Sequence, residues 1–290
     1  MFKLKSGTEI LEIGFGSYKV TDELTDGRSY EVIRDAVSTG YRYIDTAAFY
    51  QNEDVIGQAV RDSGIRREEI FLATKVWKTE LSYEKTRKSI ESSLRKLQTE
   101  YLDLLLIHWP KEFPGDPEWK EKVQASWRAM EDAKREGLVR DIGLSNFLPH
   151  HIMALKETMR EEPVLDQLEL HIGHMQYPAV VYCREQGILV QAWSPLGRTR
   201  MFEHPALREM ASRYGVGLSD LALRFLLQQG ISVIPKATSV GHMEANLHPA
   251  EFRISEEDMS FLLCMPSVGW AGEHPDFDRE AVDNRYLPGK

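Results

Sequence analysis

Eight short apolar runs alternate with longer amphipathic stretches along this chain, and that alternation restricts its possible folds more than any other feature. The runs are IGFGSY from Ile13, YRYID from Tyr41, FLATKVW from Phe71, LDLLLIHW from Leu102, VRDIGLSNF from Val139, VLDQLEL from Val164, ILVQAWS from Ile188 and ISVIPKA from Ile231. Several are continuously apolar, as parallel strands covered on both faces are. Between them, Val55, Ala59 and Val60 share one helical face. So do Ile90, Leu94 and Leu97, and then Trp127, Met130 and Ala133, after which Gly137 ends the helix. Eight strand–helix units in 290 residues match a closed (β/α)8 TIM barrel, which takes about 250 residues as one domain. A doubly wound open sheet is the rival. Its glycine-rich first turn is missing, because Lys19 holds the third glycine position of GFGSYK.

Two segments stand outside the repeat. Residues 1–12 contain FKLKSGTEILEI, whose alternating apolar positions predict a hairpin turning at Ser6-Gly7 and plugging the barrel bottom. Residues 266–290 carry Trp270, Pro275, Phe277, Tyr286 and Pro288 with little periodicity. That aromatic content favours a tail docked over the barrel as a lid. The whole span 1–290 then reads as a single domain.

Composition narrows the function classes. A formal net charge of −9 repels phosphate backbones, which argues against nucleic acid as partner. Cys183 and Cys264 form no C-x-x-C pair and read as reduced packing thiols of a cytoplasmic protein. The start, MFKLKSGTEI, lacks the apolar stretch of a signal peptide, and no run is long enough to span a membrane.

The eight runs all end in polar or amphipathic residues: Ser17, Asp45, Lys75, His108, Ser145 with Asn146, Gln167, Trp193 with Ser194, and Lys236. In a barrel these ends meet on one face, where active sites form. Taken singly, Asp45 reads as a helix cap, Lys75 as a snorkelling edge residue and His108 as a satisfied core histidine. Taken together, they would desolvate one another unless they built a site. No G-x-S-x-G elbow is present. Asp45 and His108 are too few for a metal centre, and Lys75 already supplies a cation. His171 and His174 are expected in a loop, and His150-His151 at the start of a helix, so no metal is expected. Tyr50, Lys75, Asp45 and His108 suit proton transfer to an oxygen. An ammonium near the phenol should lower its pKa, a carboxylate should hold that ammonium, and the imidazole should orient the oxygen. Hydride must then come from elsewhere, and a nicotinamide is the evident donor.

At these residues the chain resembles the aldo-keto reductase family, in particular its bacterial diketo-gluconate and aldehyde reductases. DTAAFYQNEDVIGQAV, ATKVW, LLLIHWP, IGLSNF, DQLELH, AWSPLGR and SVIPKA occur in the family's order and spacing. The resemblance implies NADPH-dependent reduction of aldehydes or ketones, with Asp45, Tyr50, Lys75 and His108 catalytic and transfer of the 4-pro-R hydride. It implies that Ser145, Asn146 and Gln167 bind the carboxamide and that Trp193 stacks on the ring. Gly16, Ser17, Ser194, Leu196 and Gly197 would follow the cofactor. Lys236, Ala237, Thr238, His242 and Asn246 would surround its 2′-phosphate end. Tyr18, Phe49, Trp77 and Trp109 would line the substrate pocket, closed by Trp270 and Phe277.

The departures bear on the cofactor. Ala237 replaces the usual serine, His242 the usual arginine and Ala245 the usual glutamate. Arginine grips phosphate through a planar fork, whereas histidine is only partly charged near pH 7. NADPH preference should be weaker than is typical, with NADH also used. Asp166 stands where asparagine often precedes the glutamine. The resemblance further implies a monomer acting on a small carbonyl compound. Two rival readings remain: a non-enzymatic nicotinamide-binding sensor on the same barrel, and a metal or phosphate-ester hydrolase.

Overall fold

Residues 1–277 are described in the computed structural model. Strands β1 (Phe2–Lys3) and β2 (Glu9–Ile10) pair antiparallel. The turn between them uses Gly7 at φ +95°, a backbone conformation that side chains disfavour. Eight parallel strands follow, neighbours in space in the order of the chain. They are β3 (Phe15–Gly16), β4 (Tyr43–Asp45), β5 (Phe71–Val76), β6 (Leu102–Ile107), β7 (Val139–Ser145), β8 (Leu165–Glu169), β9 (Leu189–Trp193) and β10 (Ser232–Val233). A parallel bridge between Ile13 and Val233 joins the last strand to the approach of the first, with Gly14 N–H donating to Val233 O at 2.9 Å. The sheet therefore closes into the expected (β/α)8 barrel, which leaves no unpaired edge.

Outside the ring lie α1 (Ser29–Thr39), α2 (Glu53–Asp62), α3 (Tyr83–Lys96), α4 (Trp119–Arg135) and α5 (Pro149–Lys156). The remaining helices are α6 (Tyr177–Glu185), α7 (Pro205–Tyr214), α8 (Leu218–Leu227), α9 (Val240–Leu247) and α10 (Glu256–Leu263). The predicted apolar faces turn inward. Ala59 and Val60 of α2, Ile90 of α3, and Trp127, Met130 and Ala133 of α4 are all buried in the layer between helices and sheet. Gly57 lets α2 lie against the end of α3, since a Cβ there would come within 2.5 Å of Lys96 O. None of the described helices is long and apolar enough to cross a membrane.

Inside the barrel, Tyr43, Ala73, Leu104, Leu106 and Leu165 form a second cluster with Leu4 and Ile10 of the hairpin. The hairpin thus plugs the lower end, as its alternation predicts. Strands β3 and β10 are shorter than the runs that contain them. The cause is the seam, where the backbones approach so closely that a Cβ on Gly16 would sit 2.5 Å from Ile234 O. Pro235 next in line has no N–H to extend the ladder.

The described part of the tail is docked. Val268 N–H donates to Gly173 O at 3.2 Å, Ala271 N–H to Glu169 Oε1 at 2.8 Å, and Arg200 to Trp270 O at 2.9 Å. Residues 278–290, with Tyr286 and Pro288, lie outside the described residues. Cys183 is a buried free thiol in α6, and Cys264 is a free thiol exposed at the end of α10.

Candidate active site

A cavity of about 760 Å³ opens at the C-terminal ends of the strands. That volume falls within the range that holds cofactors and drug-sized ligands. Asp45, Tyr50, Lys75 and His108 come together here from four stretches of chain. Asp45 ends β4, Tyr50 closes the short helical turn after it, Lys75 lies near the end of β5 and His108 follows β6. The parallel register places Lys75 opposite Leu106, so residues thirty and more positions apart share one rim.

A chain of hydrogen bonds climbs from the barrel floor to these groups. Gln191 Nε2 donates to Ser232 Oγ at 2.9 Å, and Gln191 Oε1 accepts from Tyr43 Oη at 3.1 Å and Gln167 Nε2 at 2.8 Å. Gln167 Nε2 also donates to Asp45 Oδ2 at 2.8 Å. Asp45 Oδ1 takes Lys75 Nζ at 2.6 Å, and Lys75 donates further to Thr46 O at 2.9 Å. Both charges are buried, Asp45 at 1% exposure and Lys75 at 1%. Burial works against each charge: it raises the Asp45 pKa and lowers that of Lys75, while each offsets the other's shift. Held by both Asp45 Oδ1 and Thr46 O, the ammonium is fixed at one point in space.

Tyr50 Oη lies 3.5 Å from Lys75 Nζ, at the outer limit of a hydrogen bond. The expected lowering of its pKa is not found. Burial, then the Asp45 carboxylate and Tyr18, push the phenol well above its usual value. The reason is that Asp45 neutralises the ammonium that was to favour the phenolate, and low dielectric penalises the anion. His108 lies edge-on to Tyr50, ring centroids 5.5 Å apart. Burial, with Lys75 and Lys78 nearby, drives the His108 pKa well down, which leaves a neutral imidazole. Its Nδ1 is buried without a partner among the described residues.

Ser145, Asn146, Gln167, Trp193, Ser194, Leu196, Gly16 and Lys236 all line the cavity. Asn146 is already engaged: its Nδ2 donates to His108 O and Ser145 Oγ, and its Oδ1 accepts from Trp193 Nε1 at 2.9 Å. Those bonds fix the indole and leave Oδ1 one lone pair for anything else. Ser17, Gly197, Ala237, Thr238, His242 and Asn246 do not line the cavity. Ser17 and Asn246 are buried, whereas Thr238 and His242 are exposed, the latter in the first turn of α9.

Of the predicted pocket residues, Tyr18, Phe49, Trp77, Trp109 and Phe277 line the cavity. Phe49 and Trp77 stack at 3.8 Å, forming a flat wall. Trp270 does not line it. It lies instead parallel to His174, centroids 5.8 Å apart, because Ala271 and the Trp270 carbonyl are tied down beside it. His171 and His174 lie in the connection between β8 and α6, outside the named strands. They form a bridge with each other, and burial lowers the His174 pKa to about 3.

Sequence reading missed Lys19, Lys78, Lys111, Phe113, Arg198 and Thr199, which also line the cavity. One backbone signal accompanies several of them. Nine described non-glycine residues have left-handed φ, and five of these (Lys19, Asn146, Ser194, Arg198 and Thr199) line this cavity. Such strain concentrates at functional sites, and residue type alone does not announce it.

A family model, "Aldo/keto reductase family", matches residues 12–262. The chain belongs to the aldo/keto reductase family. It is 36% identical over 274 residues to glyoxal reductase of Bacillus subtilis (strain 168), covering 94% of this chain and 95% of that one. Among solved structures, an aldo-keto reductase from a Medee basin deep-sea metagenome library superposes with a TM-score of 0.87 at 32% identity, covering 96% and 99% of the two chains. A Bombyx mori aldo-keto reductase in complex with NADP superposes at 0.81 and 30% identity, covering 90% and 91%. The aldo/keto reductase reading of the sequence, with its barrel, therefore holds, and the chain is an NAD(P)H-dependent oxidoreductase of the carbonyl-reducing kind.

Proposed function

We propose that this aldo/keto reductase reduces aldehydes or ketones to alcohols with hydride from NADPH and a proton from Tyr50. The observation that carries this reading is the buried Asp45–Lys75 pair reaching Tyr50 Oη at the floor of one cavity, with neutral His108 beside it. The nicotinamide supplies the hydride when bound. Tyr50, kept protonated by burial and Asp45, is a loaded donor. As negative charge gathers on the carbonyl oxygen, the phenolic proton moves to it, and Lys75 steadies the phenolate left behind. His108, neutral and with one ring N–H, donates to that oxygen and sets its direction.

The cavity also suits a phosphorylated dinucleotide. Gln167 Oε1 lies open beside Ser145 for an amide group, and the Trp193 indole is fixed beside them. Lys19 and Lys236 both line the cavity, and among the described residues neither ammonium has an ion-pair partner. Lys236 is exposed as a residue, yet partial desolvation of its head and the nearby Lys19 charge lower its pKa. Two unneutralised ammoniums so close together favour an anion between or beside them. Thr238 and His242 stand outside the cavity, so Lys236 carries the 2′-phosphate largely by itself and NADH is accepted too.

Lys236→Ala should weaken NADPH binding about tenfold, the scale of one charge-assisted contact. NADH binding should change less than twofold. Quenching of intrinsic tryptophan fluorescence during cofactor titration measures both. Equal weakening of the two cofactors would place the 2′-phosphate elsewhere. The activity itself is tested by NADPH consumption with a panel of aldehydes and ketones, glyoxal among them because of the relative named for it. Tight NADPH binding with no turnover of any carbonyl would overturn the reductase reading in favour of a sensor. Loss of activity on treatment with a chelator would point to a metal enzyme instead.

A further inference from the structure

The tail returns from α10 to the cavity mouth and is held there at two points by two carboxylates. The first is Glu169, which accepts the Ala271 N–H at 2.8 Å. The second is Asp276, and its surroundings are built. Its Oδ1 is ion-paired with Lys111 Nζ and lies 2.9 Å from His151 Nε2, while Oδ2 lies 3.2 Å from His150 Nε2. The side chains of Asp276 and Lys111 are only 14% and 13% exposed, and that of His151 is fully buried. Trp119 of α4 underlies the group, 5.2 Å from Lys111 Nζ and 5.0 Å from the His151 ring.

Between the two anchors run only Gly272, Glu273, His274 and Pro275, and all four line the cavity, as does Phe277 just beyond. Lys111 lies on the segment after β6, whose Phe113 and Pro114 line the cavity as well. One carboxylate that itself stays out of the cavity therefore joins the tail, the segment after β6 and α5. We infer that Asp276 is a positioning residue, fixing the tail-side wall of the cavity and so selecting carbonyl substrates by the bulk of the group they carry. This rests on the reading of the cavity as the carbonyl site.

The same three side chains could be taken for metal ligands, since atoms of His150, His151 and Asp276 lie within 4.8 Å of one another. The hydrogen bonding is arranged otherwise. His151 Nδ1 accepts the Leu148 N–H at 3.1 Å, so the single proton of the neutral ring sits on Nε2 and is donated to Asp276. Burial keeps that ring neutral, with its pKa lowered to about 4. Ligation through Nε2 would need the proton on Nδ1, facing the Leu148 N–H. Lys111 already neutralises the carboxylate.

Asp276→Ala and Asp276→Asn in the full chain test the inference. Amide exchange across residues 271–277, followed without substrate, should quicken at least tenfold in the alanine variant. It should quicken less in the asparagine variant, which can still accept from His151. The KM for a bulky aldehyde such as 4-nitrobenzaldehyde should rise about fivefold, while kcat and KM for propanal and the affinity for NADPH stay within twofold. Unchanged exchange in the alanine variant, or equal KM shifts for the two aldehydes, would overturn the inference. So would added zinc that raises the melting temperature of the natural protein but not of either variant. If the natural protein reduces no carbonyl, the reductase reading fails, and amide exchange alone still decides whether Asp276 anchors the tail.

Discussion

Replacing Tyr50 with phenylalanine should lower kcat by ~10²-fold or more and leave NADPH affinity within about twofold. The aromatic ring, its packing against Tyr18 and its place above Lys75 all survive; only the O–H is lost. The Asp45–Lys75–Gln167 hydrogen bonds do not pass through the phenol, so their geometry should persist. The natural enzyme's pH profile gives a second check. Burial and Asp45 hold the phenol well above its usual pKa, so the donor stays protonated through and beyond neutral pH. No limb of falling reduction between pH 6 and 8 should therefore belong to Tyr50. His108, its pKa driven well down, should add no acidic limb until well below pH 6.5. Steady-state kinetics of both proteins from pH 5 to 9 would show this. Turnover in the phenylalanine variant close to that of the natural protein would remove Tyr50 from the chemistry.

Asp166→Asn should stabilise the fold, and the gain should grow with pH. Asp166 points out of the barrel toward α6, fully buried, with Cys183 Sγ at 3.8 Å from Oδ2 and no partner for Oδ1. Burial raises its pKa to about 8, against the lesser pull of the Phe147 backbone N–H and the Cys183 thiol. The folded chain therefore keeps the proton between the ordinary carboxylate pKa and about pH 8, where the unfolded chain has lost it. Across that window the folded state binds more protons, so stability falls as pH rises, by about 1.4 kcal/mol per unit at most. A neutral amide of the same shape removes this penalty but leaves an imperfectly paired N–H₂, which returns part of it. The gain should be about 4 kcal/mol larger at pH 8 than at pH 5, because the window spans about three units and the cost of the imperfectly paired amide does not change with pH. The neutral buried histidines, His151 among them, destabilise the fold as pH falls below about 6.5. They act on both proteins alike and cancel in the difference. An unfolding midpoint that differs equally at pH 5 and pH 8 would mean that titration of Asp166 has no part in it.

How far the site could be read in advance depends on the kind of fact. Asp45, Lys75, His108, Gln167 and Trp193 are visible because each closes an apolar run, and a parallel barrel collects such ends on one rim. Gln191, Ser232 and Tyr43 carry no such signal. They lie inside apolar runs, and only the closed ring shows that they hydrogen-bond one another and support Asp45. The sign of the Tyr50 shift is hidden from the sequence for the same reason. An ammonium 3.5 Å from a phenol acts one way when free and another when a buried carboxylate has already claimed it. The resemblance places Trp270 over the cavity, but neighbouring backbone hydrogen bonds turn it onto His174.

What the order of residues determined by itself was the periodicity: eight buried strands, their covering helices, the hairpin plug and the polar residues at the strand ends. These follow from local rules of apolar spacing and turn chemistry, which act over a few residues. What the tertiary structure alone decided was which distant groups touch and how deeply they are buried. On those distances depend the neutral His108, the protonated Tyr50 and Asp166, and the joining of Lys111, His151 and Asp276, because electrostatic energy in a low-dielectric interior is set by separation in space and not along the chain.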